Sequence, residues 1–193
     1  GEYVPYLAKS IDHNADYTEW TIALRDGITF HNGEPFNADA VKLNLDRDRN
    51  GVLLQFLFSP VQDVSVVDPM TVRVTTKVPW IAFPASLWFT GRVGMAAPAQ
   101  LNDDSTCPRN PIGTGPFKFE DWMPNDHLTV TKNPNYWQKD KDGNKLPYLD
   151  QLTFRPVIDV SQRVNGLEGG DLDLIHLTDG QQFLRSLPDE VLP

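Results

Sequence analysis

Four histidines and one cysteine are the first side chains to test for metal, acid–base or nucleophilic chemistry in this sequence of 193 residues. His13, His31, His127 and His176 are far apart. No two have the three-to-five-residue spacing of zinc ligands, and no His-Glu-x-x-His occurs. Cys107 stands alone and forms no internal disulfide. Gly-x-Ser-x-Gly is absent, and no nucleophile–base–orienter grouping can be assembled. The run Gly113-Thr-Gly-Pro-Phe117 lacks the Gly-Lys-Ser/Thr ending of a phosphate loop, so its glycines are expected to serve positive φ or a close backbone approach. Asp140-Lys-Asp142-Gly143-Asn144 suggests a calcium loop. With Gly143 at the sixth position, however, the first and last ligands would be Gln138 and Leu149, so a solvated turn is expected. No catalytic residue, metal site or cofactor is expected.

The balance of charges narrows the partners. A formal net charge of −9 argues against nucleic acid, which needs clustered Lys and Arg on its phosphates. Apolar residues at 40% and charged residues at 22% suit a packed core, not a disordered chain. No apolar run approaches the ~18 residues of a membrane-spanning helix. The opening GEYVPYLAKS has neither a basic nor an apolar leader region, so a mature form or an excised piece is expected.

The elements that must position any site follow from periodicity. Residues 20–25 alternate Trp20, Ile22, Leu24 with polar or small neighbours, which predicts a strand. Asp26-Gly27 turns the chain, and residues 28–30 are expected to begin a second strand ending at Asn32-Gly33. Asn37 is the expected N-cap of a helix over 38–49, with Ala38, Val41 and Leu45 on one face and Asp39 in its first turn. Residues 61–67 and 71–78 read as a hairpin around Asp68-Pro69. Residues 81–89 are short and apolar, a buried helix that Pro84 keeps brief. A small strand is expected over 92–97, and residues 102–111 are the best internal linker. Strands are expected at 117–122, 128–131, 151–157 and 172–177. A short helix with Val160, Val164 and Leu167 on one face should stop at Gly169-Gly170, and residues 180–187 look helical. This order of elements indicates a mixed α/β (α+β) fold. Trp20 and Trp122 fall in strand patterns and are expected in the core. For Trp88 and Phe89 burial is favoured over an exposed pocket wall.

The order of these motifs resembles family 5 of the extracytoplasmic solute-binding proteins, the peptide- and nickel-type receptors of ABC importers. Residues 5–47, PYLAKSIDHNADYTEWTIALRDGITFHNGEPFNADAVKLNLDR, carry Trp20 through Arg25, Gly27, Phe30, Gly33, Pro35, Ala38 and Val41 at the family's positions. The family often has Asp where this chain has Asn32 and Ala40. Asp68 through Thr75 resembles a family hairpin. Residues 113–137, GTGPFKFEDWMPNDHLTVTKNPNYW, match its most recognisable block, and residues 146–175 match the strand, helix and Gly-x-φ-Asp segment that follow.

The resemblance implies a partial periplasmic-binding-protein type II-like fold. Residues 1–110 would be domain II, residues 111–193 the central part of domain I, and domain III would be absent. It implies no enzymatic activity but a peptide or other small-molecule ligand. That ligand would be enclosed between two lobes and delivered to ABC permease subunits by a monomer located in the periplasm or held at the cell surface by a lipid anchor. Nickel chelates, opines and oligosaccharides are the alternative ligands. A regulatory ligand-sensing domain is an alternative of another class. Two places are implied as ligand contacts. Phe89, Thr90 and Arg92 lie at the turn after the apolar segment, where Arg92 could pair with a carboxylate. His176, Leu177 and Thr178 lie at the end of the predicted last strand, where the family often has Tyr or Asn.

Overall fold

The computed structural model describes residues 4–88, 93–103 and 110–177. The alternation in residues 20–25 becomes β2 (Glu19–Leu24), in which Trp20, Ile22 and Leu24 are buried in strict turn. It lies between β1 (Ala8–His13) and β4 (Thr71–Thr76), with β3 (Val61–Asp68) beyond β4, in an antiparallel sheet of order β1-β2-β4-β3. Register places Trp20 opposite Val74 and Ile22 opposite Val72, so large and β-branched side chains meet on one face. The β1–β2 turn is closed by Asn14, whose Oδ1 accepts from the backbone N–H of Thr18 (2.9 Å) and Glu19 (3.1 Å).

Helix α1 (Ala38–Asn50) begins where expected: Asn37 Oδ1 accepts from Ala40 N at 2.9 Å. Its buried residues include Ala38, Val41 and Leu45, the predicted face, together with Ala40 and Asn44. Lys42 ties the helix to β3, with Nζ 2.6 Å from Asp46 Oδ2 and donating to Val64 O at 2.8 Å. Two short helices follow, α2 (Phe83–Leu87) and α3 (Pro98–Leu101). A three-stranded sheet has the order β5-β6-β7, formed by β5 (Phe117–Met123), β6 (His127–Lys132) and β7 (Gln151–Phe154). Helix α4 (Val160–Glu168) is capped by Asp159, which accepts from Gln162 N at 2.8 Å. It ends at Gly169, followed by Gly170 at φ 79°.

The chain forms two compact units. One comprises Gly1–Asp121 and Thr129–Leu152, the other Trp122–Leu128 and Thr153–Pro193. Nearly all of the buried core belongs to the first. In the second, Val164 is the buried hydrophobic residue among those described.

Several expectations are corrected. Residues 28–36 form no strand. They fold back on themselves through one bridge, Thr29 to Pro35, with Phe36 N donating to Ile28 O at 3.0 Å. Gly33 at φ 90° reverses the chain, and Ile28, Phe30 and Phe36 are buried in the main hydrophobic core. Residues 93–97 are irregular, because their backbone groups bond to the Asn44 side chain and to Ile112 O and not to a neighbouring strand. Residues 172–177 are irregular as well. Trp122 is half exposed and Trp88 is 71% exposed, so neither is core. The expected helix over 180–187 lies outside the described residues.

One side chain works against the fold. Asp48 Oδ2 is buried with no hydrogen-bond partner among the described residues, and burial pushes this carboxyl up to about 6. Below about pH 3 folded and unfolded chains both hold the proton, and Asp48 carries no charge penalty. As pH rises from about 3 to about 6 the unfolded chain ionises first, and stability falls. Asp48→Asn is therefore expected to stabilise the protein at pH 7.5 by about 1–2 kcal/mol, the two-unit shift discounted for partial solvent screening. The gain should vanish near pH 3. Urea melts at the two pH values check this; an equal effect at both would contradict it.

Candidate functional site

The sites suggested by individual motifs are accounted for by local structure. Asp140 anchors its own turn. Its carboxylate accepts from Tyr148 Oη (2.5 Å), Asn144 Nδ2 (2.9 Å) and the backbone N–H of Asp142 (2.9 Å) and Asn144 (2.8 Å). Those bonds, led by that from Tyr148, hold its carboxyl down to about 2. Both oxygens are already engaged by the chain itself, which is what a structural turn requires and a cation loop does not.

Gly113 and Gly115 do not adopt positive φ, and a Cβ at either would meet nothing closer than ordinary van der Waals distance. The expectation drawn from their type is thus corrected. Their backbone instead embraces His31. Gly113 N donates to His31 Nδ1 (3.3 Å), His31 Nε2 bonds to Gly115 O (3.0 Å), and His31 N donates to Gly113 O (2.9 Å).

The remaining histidines stay separate. His13 stacks on Tyr17 at 4.2 Å, and His127 Nδ1 lies 2.9 Å from Asp126 Oδ2. Among the described residues no group of three or more His, Cys, Asp or Glu side chains is placed to hold a metal ion.

Of the residues implied as ligand contacts, Phe89, Thr90, Arg92 and Thr178 lie outside the described residues, as does Cys107. Trp88, immediately before Phe89, is exposed. His176 is exposed and Leu177 half-buried, in an irregular segment tied down by arginines that periodicity did not single out. Arg163 Nη1 donates to His176 O (2.6 Å) and Nη2 to Ile158 O (3.0 Å), while an Arg155 guanidinium N–H donates to Asp171 O. Leu172 N donates to Gly166 O at 3.0 Å, where a Cβ on Gly166 would stand only 3.0 Å from the Leu172 side chain. Guanidinium groups on backbone carbonyls leave no periodic trace in a sequence; the Gly166–Leu172 approach leaves only the glycine. An open depression around the start of α4, lined by Pro156–Gln162, resembles an anion site at a helix N-terminus, but the Asp159 carboxylate already caps it.

Comparison of the fold defines a class. The chain superimposes on NikA from Brucella suis in complex with Fe(III)-EDTA with a TM-score of 0.79 and 30% identity, covering 94% of this chain and 37% of that one. With MoaA from A. tumefaciens R10 in complex with mannopinic acid the TM-score is 0.81 at 29% identity, covering 93% and 36%. The fold is part of the type II periplasmic-binding-protein architecture.

The family follows from the sequence. Residues 2–189 match the profile of the bacterial extracellular solute-binding proteins, family 5 Middle, and the chain belongs to that family. It is 39% identical over 169 residues to the glutathione-binding protein GsiB of Pectobacterium atrosepticum, covering 86% of this chain and 32% of the relative. The chain thus spans about a third of the length of the curated relatives it matches. No helix among the described residues is long and apolar enough to cross a membrane.

Proposed function

We propose that this chain is part of the substrate-binding component of an ABC importer for small peptides. The protein would capture its ligand outside the cytoplasm, in the periplasm or as a surface lipoprotein. It would close two lobes over the ligand as a monomer and dock on membrane permease subunits. The single observation that carries the peptide reading is the 39% identity to a protein named for binding glutathione, itself a small peptide. Nickel-chelate and opine ligands remain the second reading, supported by the likeness to NikZ from Campylobacter jejuni in complex with Ni(L-His), at 28% identity, and to MoaA in complex with mannopinic acid, at 29%.

On this reading residues 1–110 are domain II and residues 111–193 the central part of an incomplete lobe. Compactness alone divides the chain elsewhere, at Asp121, with Thr129–Leu152 returning to the first unit. The family relatives supply no enzymatic role, and none is proposed. Closure would exclude water and strengthen each polar contact to the ligand.

Phe89, Thr90 and Arg92 on one side, and His176, Leu177 and Thr178 on the other, are the proposed ligand contacts. Arg92 would clamp a peptide carboxylate with two parallel N–H donors. Calorimetry on the full-length protein tests this. Glutathione and short peptides should bind, and Arg92→Ala should weaken an anionic ligand by ~1.5–3 kcal/mol, the loss of a charge-assisted hydrogen bond. Unchanged affinity would remove Arg92 from the site. Binding of nickel chelates in place of peptides would favour the second reading.

A further inference from the structure

Both ring nitrogens of His31 face backbone groups of a distant segment. Gly113 N–H approaches Nδ1 at 3.3 Å, and Nε2 lies 3.0 Å from Gly115 O. An N–H can only donate, so Nδ1 must be a bare acceptor. A carbonyl can only accept, so Nε2 must carry the proton. The partners thus select one neutral tautomer. Gly115 O also accepts from Asn133 Nδ2 at 3.0 Å, and His31 N donates to Gly113 O at 2.9 Å, so the contact is built into two backbones.

Adding a proton to Nδ1 leaves the Gly115 bond intact and turns the Gly113 end into two donors facing each other. The segments that meet here carry few charges able to compensate. The Glu34 carboxylate, on the same loop as His31, is occupied by Asn32 Nδ2 (2.5 Å) and Ala99 N (3.3 Å). Lys118, on β5, disfavours a second positive charge. Residues 93–97 and 133–137 carry no charged side chain.

We propose that His31 is a pH-operated latch: neutral, its ring fastens the turn at residues 113–115 to the loop at residues 28–36, and protonation at Nδ1 frees the Gly113 end. The turn leads directly into β5, so acidification loosens the entry to that strand. Burial first, and the Lys118 charge in addition, hold the imidazole below its ordinary proton affinity against the opposing effect of the Gly115 bond. A depressed histidine contributes stability that is complete above the unfolded value of about 6.5 and is lost as pH falls through the folded value. The latch therefore holds at neutral pH and opens on the acid side. It stands whatever ligand the protein carries.

The test uses the full-length protein. Hydrogen exchange of the peptide covering residues 112–117, corrected for the intrinsic pH dependence of exchange, is followed from pH 7.5 downward through the titration of His31. The wild type should exchange about tenfold faster once His31 is protonated, the loss of roughly one hydrogen bond. His31→Gln, whose amide offers a donor and an acceptor without titrating, should show no such change. The same pH dependence in both proteins would overturn the latch. If the variant does not fold, NMR of the wild type decides. A His31 that titrates below 6.5 with the Gly113 amide shift following it supports the latch. Titration at or above 6.5, or a Gly113 amide indifferent to it, overturns it.

Discussion

Replacing Phe83 with alanine should destabilise the protein by about 3–5 kcal/mol, the cost of removing a fully buried phenylalanine and leaving a cavity that its neighbours only partly fill. Phe83 has no exposed surface. Its ring lies 5.3 Å from that of Trp20 on β2 and 5.4 Å from that of Trp80, both tilted, so three large rings form one apolar contact. Each such pair adds about 0.5–1.5 kcal/mol beyond simple burial. Against a total stability of about 5–15 kcal/mol, the loss can approach global unfolding. Phe83→Leu, which keeps most of the volume, should cost distinctly less. Urea melts of both variants measure the difference. A loss under about 1 kcal/mol for the alanine variant would mean that α2 is not anchored through this ring.

Asn44→Ala carries the second large effect, and by a different route. The side chain is buried on α1, with 4% of its surface exposed. Its Nδ2 donates to Ala40 O (2.8 Å) and Ala96 O (2.9 Å), and its Oδ1 accepts from Ala96 N (2.9 Å). Both backbone groups of Ala96 therefore depend on one amide. Ala96 is only part-buried, so leaving both groups without this partner should cost about 1–3 kcal/mol in all, less than two fully buried orphans would. Asn44→Leu separates packing from hydrogen bonding. If bonding dominates, leucine fails to restore stability and the Ala96 amide loses its exchange protection. If leucine restores both, the account of Asn44 is wrong.

These two residues show what was legible before the structure. Strand β2 and helix α1 were legible because burial on one face imprints a period: Trp20, Ile22, Leu24 on one, Ala38, Val41, Leu45 on the other. The N-cap Asn37 was legible because capping is a local bond. Strand β1 left no comparable signal. It lies at a sheet edge, and only Ala8 among its residues is buried. The alternation of Leu172 and Leu174 imitated a strand, yet Leu174 is 88% exposed and the segment is fixed by Arg155 and Arg163. Trp122 misled in the same way: an alternating pattern marks a face but does not say whether anything covers it.

The candidate site was less legible still. Asn44, His31, Arg155 and Arg163 act on backbone groups 13 to 84 residues away, and no spacing rule encodes such partners. The chemistry of His31 is defined by the backbone of Gly113 and Gly115, which neither residue type nor spacing reveals. The ligand contacts proposed at Phe89, Thr90, Arg92 and Thr178 rest on resemblance, not on geometry. Membership of the family rests instead on a match over residues 2–189.

Calorimetric titration with glutathione and a panel of short peptides, run in parallel on the full-length protein and on the 193-residue segment, tests the central claim most directly. The account predicts saturable peptide binding by the full-length protein and weak or no binding by the segment, whose ligand contacts would be too few. Sub-micromolar binding by the segment alone, or a full-length protein that ignores every peptide, would contradict it.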